Sequence, residues 1–223
     1  MLADFRGPGR VILSVMQLMR AAAVCLGLCV LGEPRMLADD WPQARPITIF
    51  TETAARFLRI VPGRSIGDVF GFRGAPKGPY ATAEMYARQP DRSYRFTGAA
   101  TLVNPVAPVN ALLAPDGGFI TFDNWHNLGY GKVAAIYRAD GTPVRSYTLE
   151  DLYRGRDLTR VPTSESSRAW RCAPFFFVTP DGREAYTREF LGGEFVFSMT
   201  DGSFRYAPGA VKECVPPQPQ WDR

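Results

Sequence analysis

Four Asp-Gly dipeptides constrain this chain more than any other feature: Asp116-Gly117, Asp140-Gly141, Asp181-Gly182 and Asp201-Gly202, at spacings of 24, 41 and 20 residues. Each lies between short apolar segments, such as ALLAPDGGFITF over 111–122 and FFVTPDGREAYT over 176–187. Asp-Gly between alternating apolar residues is a strong β-hairpin signal, because a type I′ turn asks for positive φ at both central positions. Type I′ hairpins are therefore expected at all four places.

The alternation of short and long spacings groups the hairpins in pairs. The segment 133–147 (VAAIYRADGTPVRSY) is to 111–122 as 195–206 (FVFSMTDGSFRY) is to 176–187, with offsets of 65 and 61 residues between corresponding turns. A more degenerate copy lies upstream, where AEMYARQPDRSY over 83–94 puts Pro90-Asp91 in the turn position and RFLRIVPG over 56–63 supplies a preceding strand. The chain thus reads as three units of about four short strands each, spanning roughly 47–104, 109–158 and 169–209. Glycine and proline, 21 and 19 of the 223 residues, suit a chain full of turns better than a helix bundle. The fold class expected is all-β and antiparallel.

Four-stranded units of 40–50 residues are the grammar of β-propeller blades, whose small sheets bury their faces by stacking on one another. The recurring strand, Pro-Asp-Gly turn and strand resembles the propeller-type, WD40-like repeats of uncharacterised secreted bacterial proteins. The segment 121–131, TFDNWHNLGYG, is similar to a motif of such proteins. The Gly-His and Trp-Asp signatures of the strict WD40 repeat are missing from all three units. The resemblance implies blade-like sheets, but a closed ring commonly has four to eight. Three units imply an incomplete propeller, or two chains completing one ring as a homodimer. A β-sandwich is the alternative.

The first forty residues read as an address. Residues 21–32 (AAAVCLGLCVLG) are uncharged and follow Arg6, Arg10 and Arg20, the pattern of a secretory signal peptide. A membrane-spanning helix needs about 20 apolar residues, and extending the run backwards places Arg20 near its middle. We therefore expect a signal peptide over 1–38, cleaved after Ala38, and one all-β domain over 39–223. Met16 and Met19 are alternative starts that give a signal of ordinary length. No Leu-x-x-Cys lipobox precedes Cys25 or Cys29. Cleavage leaves Cys172 and Cys214, an even pair in an oxidising compartment, which reads as one disulfide. A secreted or periplasmic location follows, with no stable membrane span after signal removal.

The formal charge of +4 is carried by no run of basic residues, so a nucleic-acid footprint is not expected. The single histidine falls in the one unusual constellation, Asp123-Asn124-Trp125-His126-Asn127, directly after an apolar strand. Strand ends on rigid scaffolds commonly hold functional loops. In this candidate ligand-binding loop, Asp123 and His126 have the chemistry of an acid and base pair, or with Asn124 of a metal site, and Trp125 that of a sugar platform. The structural alternative is that the Asp and Asn side chains bond to the loop backbone while Trp125 and His126 fill space between strands. One histidine without a Cys or His partner is a poor zinc set, so no metal is expected. The Gly/Pro-rich stretch 71–79 contains no Walker pattern and reads as a flexible insertion, with binding by Arg73 and Lys77 as the alternative. No Gly-x-Ser-x-Gly elbow accompanies Ser164, Ser166 or Ser167.

Thr148-x-x-Asp151 has the form of a capping box before Leu152, and Thr163 to Ser166 after Pro162 also reads as a helical start. The run 175–178 (FFFV) reads as a buried strand and 215–220 as an extended Pro-rich tail. No catalytic set converges, and no cofactor is implied. The function expected is a non-enzymatic binding or interaction module of the cell envelope, its partner an envelope protein or a glycan. The alternatives are an envelope hydrolase or metal-dependent enzyme centred on Asp123 and His126, and a carbohydrate-binding module using Trp125.

Overall fold

The computed structural model describes residues 41–209 and Cys214. The expected signal segment, its cleavage position and the Pro-rich tail lie outside the described residues. Twelve strands are described: β1 (Ile47–Phe50), β2 (Arg56–Val61), β3 (Thr82–Arg88), β4 (Tyr94–Thr101), β5 (Asn110–Leu113), β6 (Phe119–Phe122), β7 (Ala134–Tyr137), β8 (Pro143–Tyr147), β9 (Arg171–Val178), β10 (Glu184–Glu189), β11 (Glu194–Ser198) and β12 (Phe204–Ala207). They form three antiparallel four-stranded sheets, β1–β4, β5–β8 and β9–β12, in which every strand pairs with its neighbours in the chain. The sheets fall on the three units read from the sequence. The architecture is all-β and propeller-like, and three successive sheets replace the two facing sheets of a β-sandwich.

The pleat explains the core. Along β6 and β7 all residues are buried, because the second sheet is covered on both faces. Phe119, Ala135 and Tyr137 point towards the first sheet, where they meet Leu58, Ile60, Ala83 and Met85. Ile120, Phe122, Ala134 and Ile136 point towards the third sheet and meet Ala185, Phe195 and Phe197. Each fully buried Phe, Ile or Leu contributes about 1.5–3 kcal/mol. The first and third sheets each turn one face away from the second, and those faces carry the same grouping. Phe57 stacks on Tyr86 at 4.4 Å and Phe177 on Tyr186 at 4.8 Å. Both tyrosines donate to a glutamate two residues earlier, Glu84 or Glu184, which also binds Arg59 or Arg205. The expected burial of 175–178 is corrected at Phe177, which is 54% exposed on that outer face.

The hairpin turns occur where expected, but their type differs. Glycines 117, 141, 182 and 202 have positive φ, whereas the preceding aspartates do not. Each aspartate instead accepts a hydrogen bond from the backbone N–H two residues on, as from Gly118 to Asp116 (2.9 Å) and Thr142 to Asp140 (2.8 Å). The aspartate carboxylate thus stabilises an Asx-type turn, and glycine alone takes the left-handed position that closes it. The degenerate copy follows the same plan: Ser93 N–H donates to Asp91 at 2.9 Å, and Arg92 takes the glycine position at φ +70.

Up-and-down pairing sends the six short hairpin turns to one end of the sheets, where Gly182 approaches Pro115 and Asp116. The loops 62–81 and 123–133 and the connections 102–109 and 148–170 collect at the other end. The last connection contains helix α1 (Leu149–Leu152), started by the expected capping box: Asp151 N–H donates to Thr148 Oγ1, and Thr148 N–H donates to the Asp151 carboxylate. The helical start expected at Thr163 does not form; Thr163 bridges to Arg168, and the neighbouring 3-10 turn is Leu158–Arg160, capped by Asp157. The Cys172–Cys214 disulfide is present, with Cα atoms 5.1 Å apart.

Candidate functional site

The loop after β6 takes its shape from two residues in the left-handed region, Asp123 at φ +57 and His126 at φ +71. Asp123 is wholly buried. Its Oδ1 accepts from Gly129 N–H (2.9 Å) and the Trp170 indole N–H (2.7 Å), and its Oδ2 pairs with Arg171 Nε at 2.6 Å. Arg171 is equally buried and also donates to Asn110 Oδ1. Burial pushes the Arg171 guanidinium down from its ordinary value, and Asp123 opposes that shift. Asp123 therefore clasps the second sheet to the start of the third, which corrects the acid and base pairing expected with His126.

The other members of the motif separate in the same way. Asn124 donates to the Tyr130 and Lys132 carbonyls at 2.7 and 3.1 Å and accepts from Asn104 at 2.8 Å, which closes the loop on itself. Trp125 is wholly buried; its indole N–H donates to the Pro42 carbonyl at 3.0 Å, and the Trp41 ring meets it edge-on at 5.3 Å. Its expected use as a sugar platform is corrected by this burial. His126 is half-buried between Trp41 and Phe72, with ring centroids 6.0 and 5.3 Å away, and burial pushes its imidazole down from the ordinary value. It is accordingly neutral at pH 7. Among the described residues no group of three His, Cys, Asp or Glu side chains is placed to hold a metal ion.

Asn127 is different. It is 2% exposed, its Nδ2 reaches the Ser166 carbonyl at 3.3 Å, and its Oδ1 has no hydrogen-bond donor among the described residues. A buried acceptor left unpaired costs about 1–3 kcal/mol. The residue is one of those lining a cleft of about 640 Å³ between the loop 123–133 and the loop 62–81 of the first sheet, while its Oδ1 is closed off from solvent. A cleft of this size is in the usual range for small-molecule sites, roughly 300–1,000 Å³.

The opposite wall is the Gly/Pro-rich loop. Here Ser65 donates to Asp68 at 2.6 Å, Lys77 pairs with the other oxygen of that carboxylate, and Gly78 N–H donates back to Ser65 Oγ at 3.1 Å. Lys77 and then Ser65 hold the Asp68 carboxyl below its ordinary value. Tyr80 is pushed up by burial, reinforced by Asp68. The stretch expected as a loose insertion is thus hydrogen-bonded across its own base, with further backbone bonds from Arg64 to Pro79 (2.7 Å) and Gly67 to Pro76 (2.9 Å).

The two walls meet where Phe70 stacks on Tyr130 at 4.2 Å, the planes 4° apart. The Arg168 guanidinium lies over Tyr130 at 4.5 Å, held by Glu150 at 2.6 Å. Arg73 and Lys132 complete the lining. Reading the sequence singled out Arg73, Asn124 and Asn127 but not Asp68, Phe70, Tyr80 or Lys132. The latter lie outside the dense motif and carry no local signal.

No known protein family matches the sequence, and no curated protein matches it. Comparison with solved structures finds the periplasmic gluconolactonase of Pseudomonas aeruginosa, at a TM-score of 0.40 and 14% identity, covering 72% of this chain and 44% of that one. The chain thus spans less than half the length of that protein.

Proposed function

We propose that this protein is a binding module of an extracytoplasmic compartment and that its ligand seat is the cleft between the loops 62–81 and 123–133. The observation that carries the reading is the cleft itself, about 640 Å³ and lined by Arg73, Asn127 and Lys132, a size and a lining that suit a small polar molecule. The Cys172–Cys214 disulfide supports an oxidising location. How the motif is spent supports a non-enzymatic role. Asp123 is committed to Arg171 and Trp170, and His126 to an aromatic nest, so the two side chains with acid and base chemistry serve the scaffold.

The test is a titration of the exported protein with a panel of small polar compounds (sugars, sugar acids, amino acids and short peptides), followed by backbone amide NMR. The expected result is saturable shifts confined to residues 67–73 and 124–132, with each bound compound recovered unchanged. Turnover of a bound compound, or a panel that leaves those amides unmoved, overturns the reading.

A further inference from the structure

Resting on the cleft as a binding seat, we infer that its ligand is an acidic sugar, a ring-sized polyol bearing a carboxylate. Three features of the lining specify it. The first is charge. Asp68 is the one carboxylate on the cleft wall, and Lys77 and Ser65 already engage both of its oxygens. Arg73 and Lys132 line the same cavity, and neither forms an ion pair among the described residues; the nearby Asp151 feels the charge of Lys132. The cleft therefore carries uncommitted positive charge, and a planar guanidinium beside an ammonium matches a carboxylate.

The second feature is the uncharged polar lining. Asn127 and Tyr80 line the same cavity as the cations, and an amide and a phenol suit a ligand that carries hydroxyl groups as well as its charge. The third is the aromatic pair. Tyr130 is covered by Phe70 on one face and by Arg168 near the other, whereas Phe70 itself is 56% exposed. Phe70 thus offers a flat apolar surface beside the cations, suited to the C–H face of a sugar ring. An amino acid would bring an ammonium into a basic cleft, and a neutral sugar would leave Arg73 and Lys132 unanswered.

A free sugar acid and the uronate end of a polysaccharide share this chemistry. Titration calorimetry with galacturonate and glucuronate, their di- and trimers, galactose, glucose and sodium phosphate tests the inference. Uronates are expected to bind at least about tenfold more tightly than the neutral sugars, a loss of the order of one charge-assisted hydrogen bond. Arg73→Gln and Lys132→Gln are each expected to weaken uronate binding by about tenfold or more at an unchanged melting temperature. Arg73 is exposed on a loop, so its replacement spares the fold. Affinity that rises with chain length points to a polymer end, and equal affinity for monomer and trimer to the free acid; either supports the acidic-sugar class. Neutral sugars or phosphate binding as tightly as uronates overturns this inference and leaves the binding reading standing. Silence from this panel overturns the inference, and silence that extends to the amino acids and peptides overturns the binding reading as well.

Discussion

Asp123 and Arg171 meet at 2.6 Å with neither side chain exposed, and this ion pair joins the first residue of the loop after β6 to the first residue of β9 in the next sheet. Both carboxylate oxygens are hydrogen-bonded, and the guanidinium also reaches Asn110 and lies 5.1 Å from the Phe122 ring centroid. Removing one partner of such a pair strands the other as a buried charge. Asp123→Asn is expected to lower stability by about 3–5 kcal/mol. Urea unfolding checks this: a catalytic carboxylate would instead give an unchanged midpoint.

Arg92 occupies the left-handed turn position that glycine holds in the four Asp-Gly turns. A side chain there costs roughly 1–2 kcal/mol. Arg92→Gly returns part of this against the extra chain entropy of glycine, for a net gain of about 0.5–1 kcal/mol. A rise of a few degrees in Tm by calorimetry is the expected outcome; an unchanged or lowered Tm would show that the Arg92 backbone is unstrained.

Gly129 is constrained from two sides. Its φ is +71, and a Cβ added there would come within 2.5 Å of the Arg168 carbonyl oxygen. Gly129→Ala is expected to cost more than about 1–2 kcal/mol, the left-handed penalty alone. Because Gly129 N–H also ties to Asp123, the amide signals of 124–132 are expected to shift in the variant, and a spectrum unchanged in that loop would contradict the assignment.

The disulfide joins residues 42 apart in sequence. Chain-entropy arithmetic values such a loop at about 4 kcal/mol. Unfolding the Cys172→Ala/Cys214→Ala protein beside the oxidised one is expected to show that difference, and a gap under ~1 kcal/mol would mean the reduced chain keeps the constraint by packing.

The pH dependence has acid and alkaline edges. Asp201 is lowered to about 2, first by the Ser198 hydroxyl and then by Ser203, and Asp91, Asp140, Asp157 and Asp181 are lowered in the same direction by similar turn bonds. Depressed folded values mean stability that is complete above the ordinary 3.8 and is lost as pH falls towards 2. Tyr137, Tyr147, Tyr153 and Tyr206 are all raised, by burial first. Their raised folded values mean stability that is complete below 10 and declines as pH climbs beyond it. His126, lowered by burial, adds an earlier acid edge, because its contribution is complete only above the ordinary 6.5. Thermal scans from pH 2 to 11 are expected to trace a plateau between about 6.5 and 10, with a shallow decline to about 4 and a steeper one below it; a maximum narrowed to a single pH would contradict it.

The turns were legible because their chemistry is local. Proline, aspartate and glycine in sequence place an Asx bond and a left-handed residue within four positions, and even Pro90-Asp91 kept that signal with Arg92 in place of glycine. The capping box of α1 was legible for the same reason, and the cysteine pair because only two cysteines lie beyond the expected signal segment. The turn type was misjudged, since Asp-Gly serves two turns and the choice depends on whether the aspartate side chain finds the N–H two residues on. The site was less legible. The dense motif 123–127 drew attention through composition, but Asp123 is fixed by Arg171, 48 residues away, and Trp125 by Pro42, 83 residues away. No spacing rule connects such partners. The cleft joins loops of two different sheets, so Phe70 and Lys132 acquire a shared role only after the sheets stack.

A chain in which each strand pairs with its predecessor can be built in the order it is threaded. Each sheet needs only residues already delivered, so a meander can close before the next one arrives. The second sheet remains half-covered until the third docks, and the Asp123–Arg171 pair and the Cys172–Cys214 bond belong to that last event. The closing lock is thus carried by the last of the three sheets.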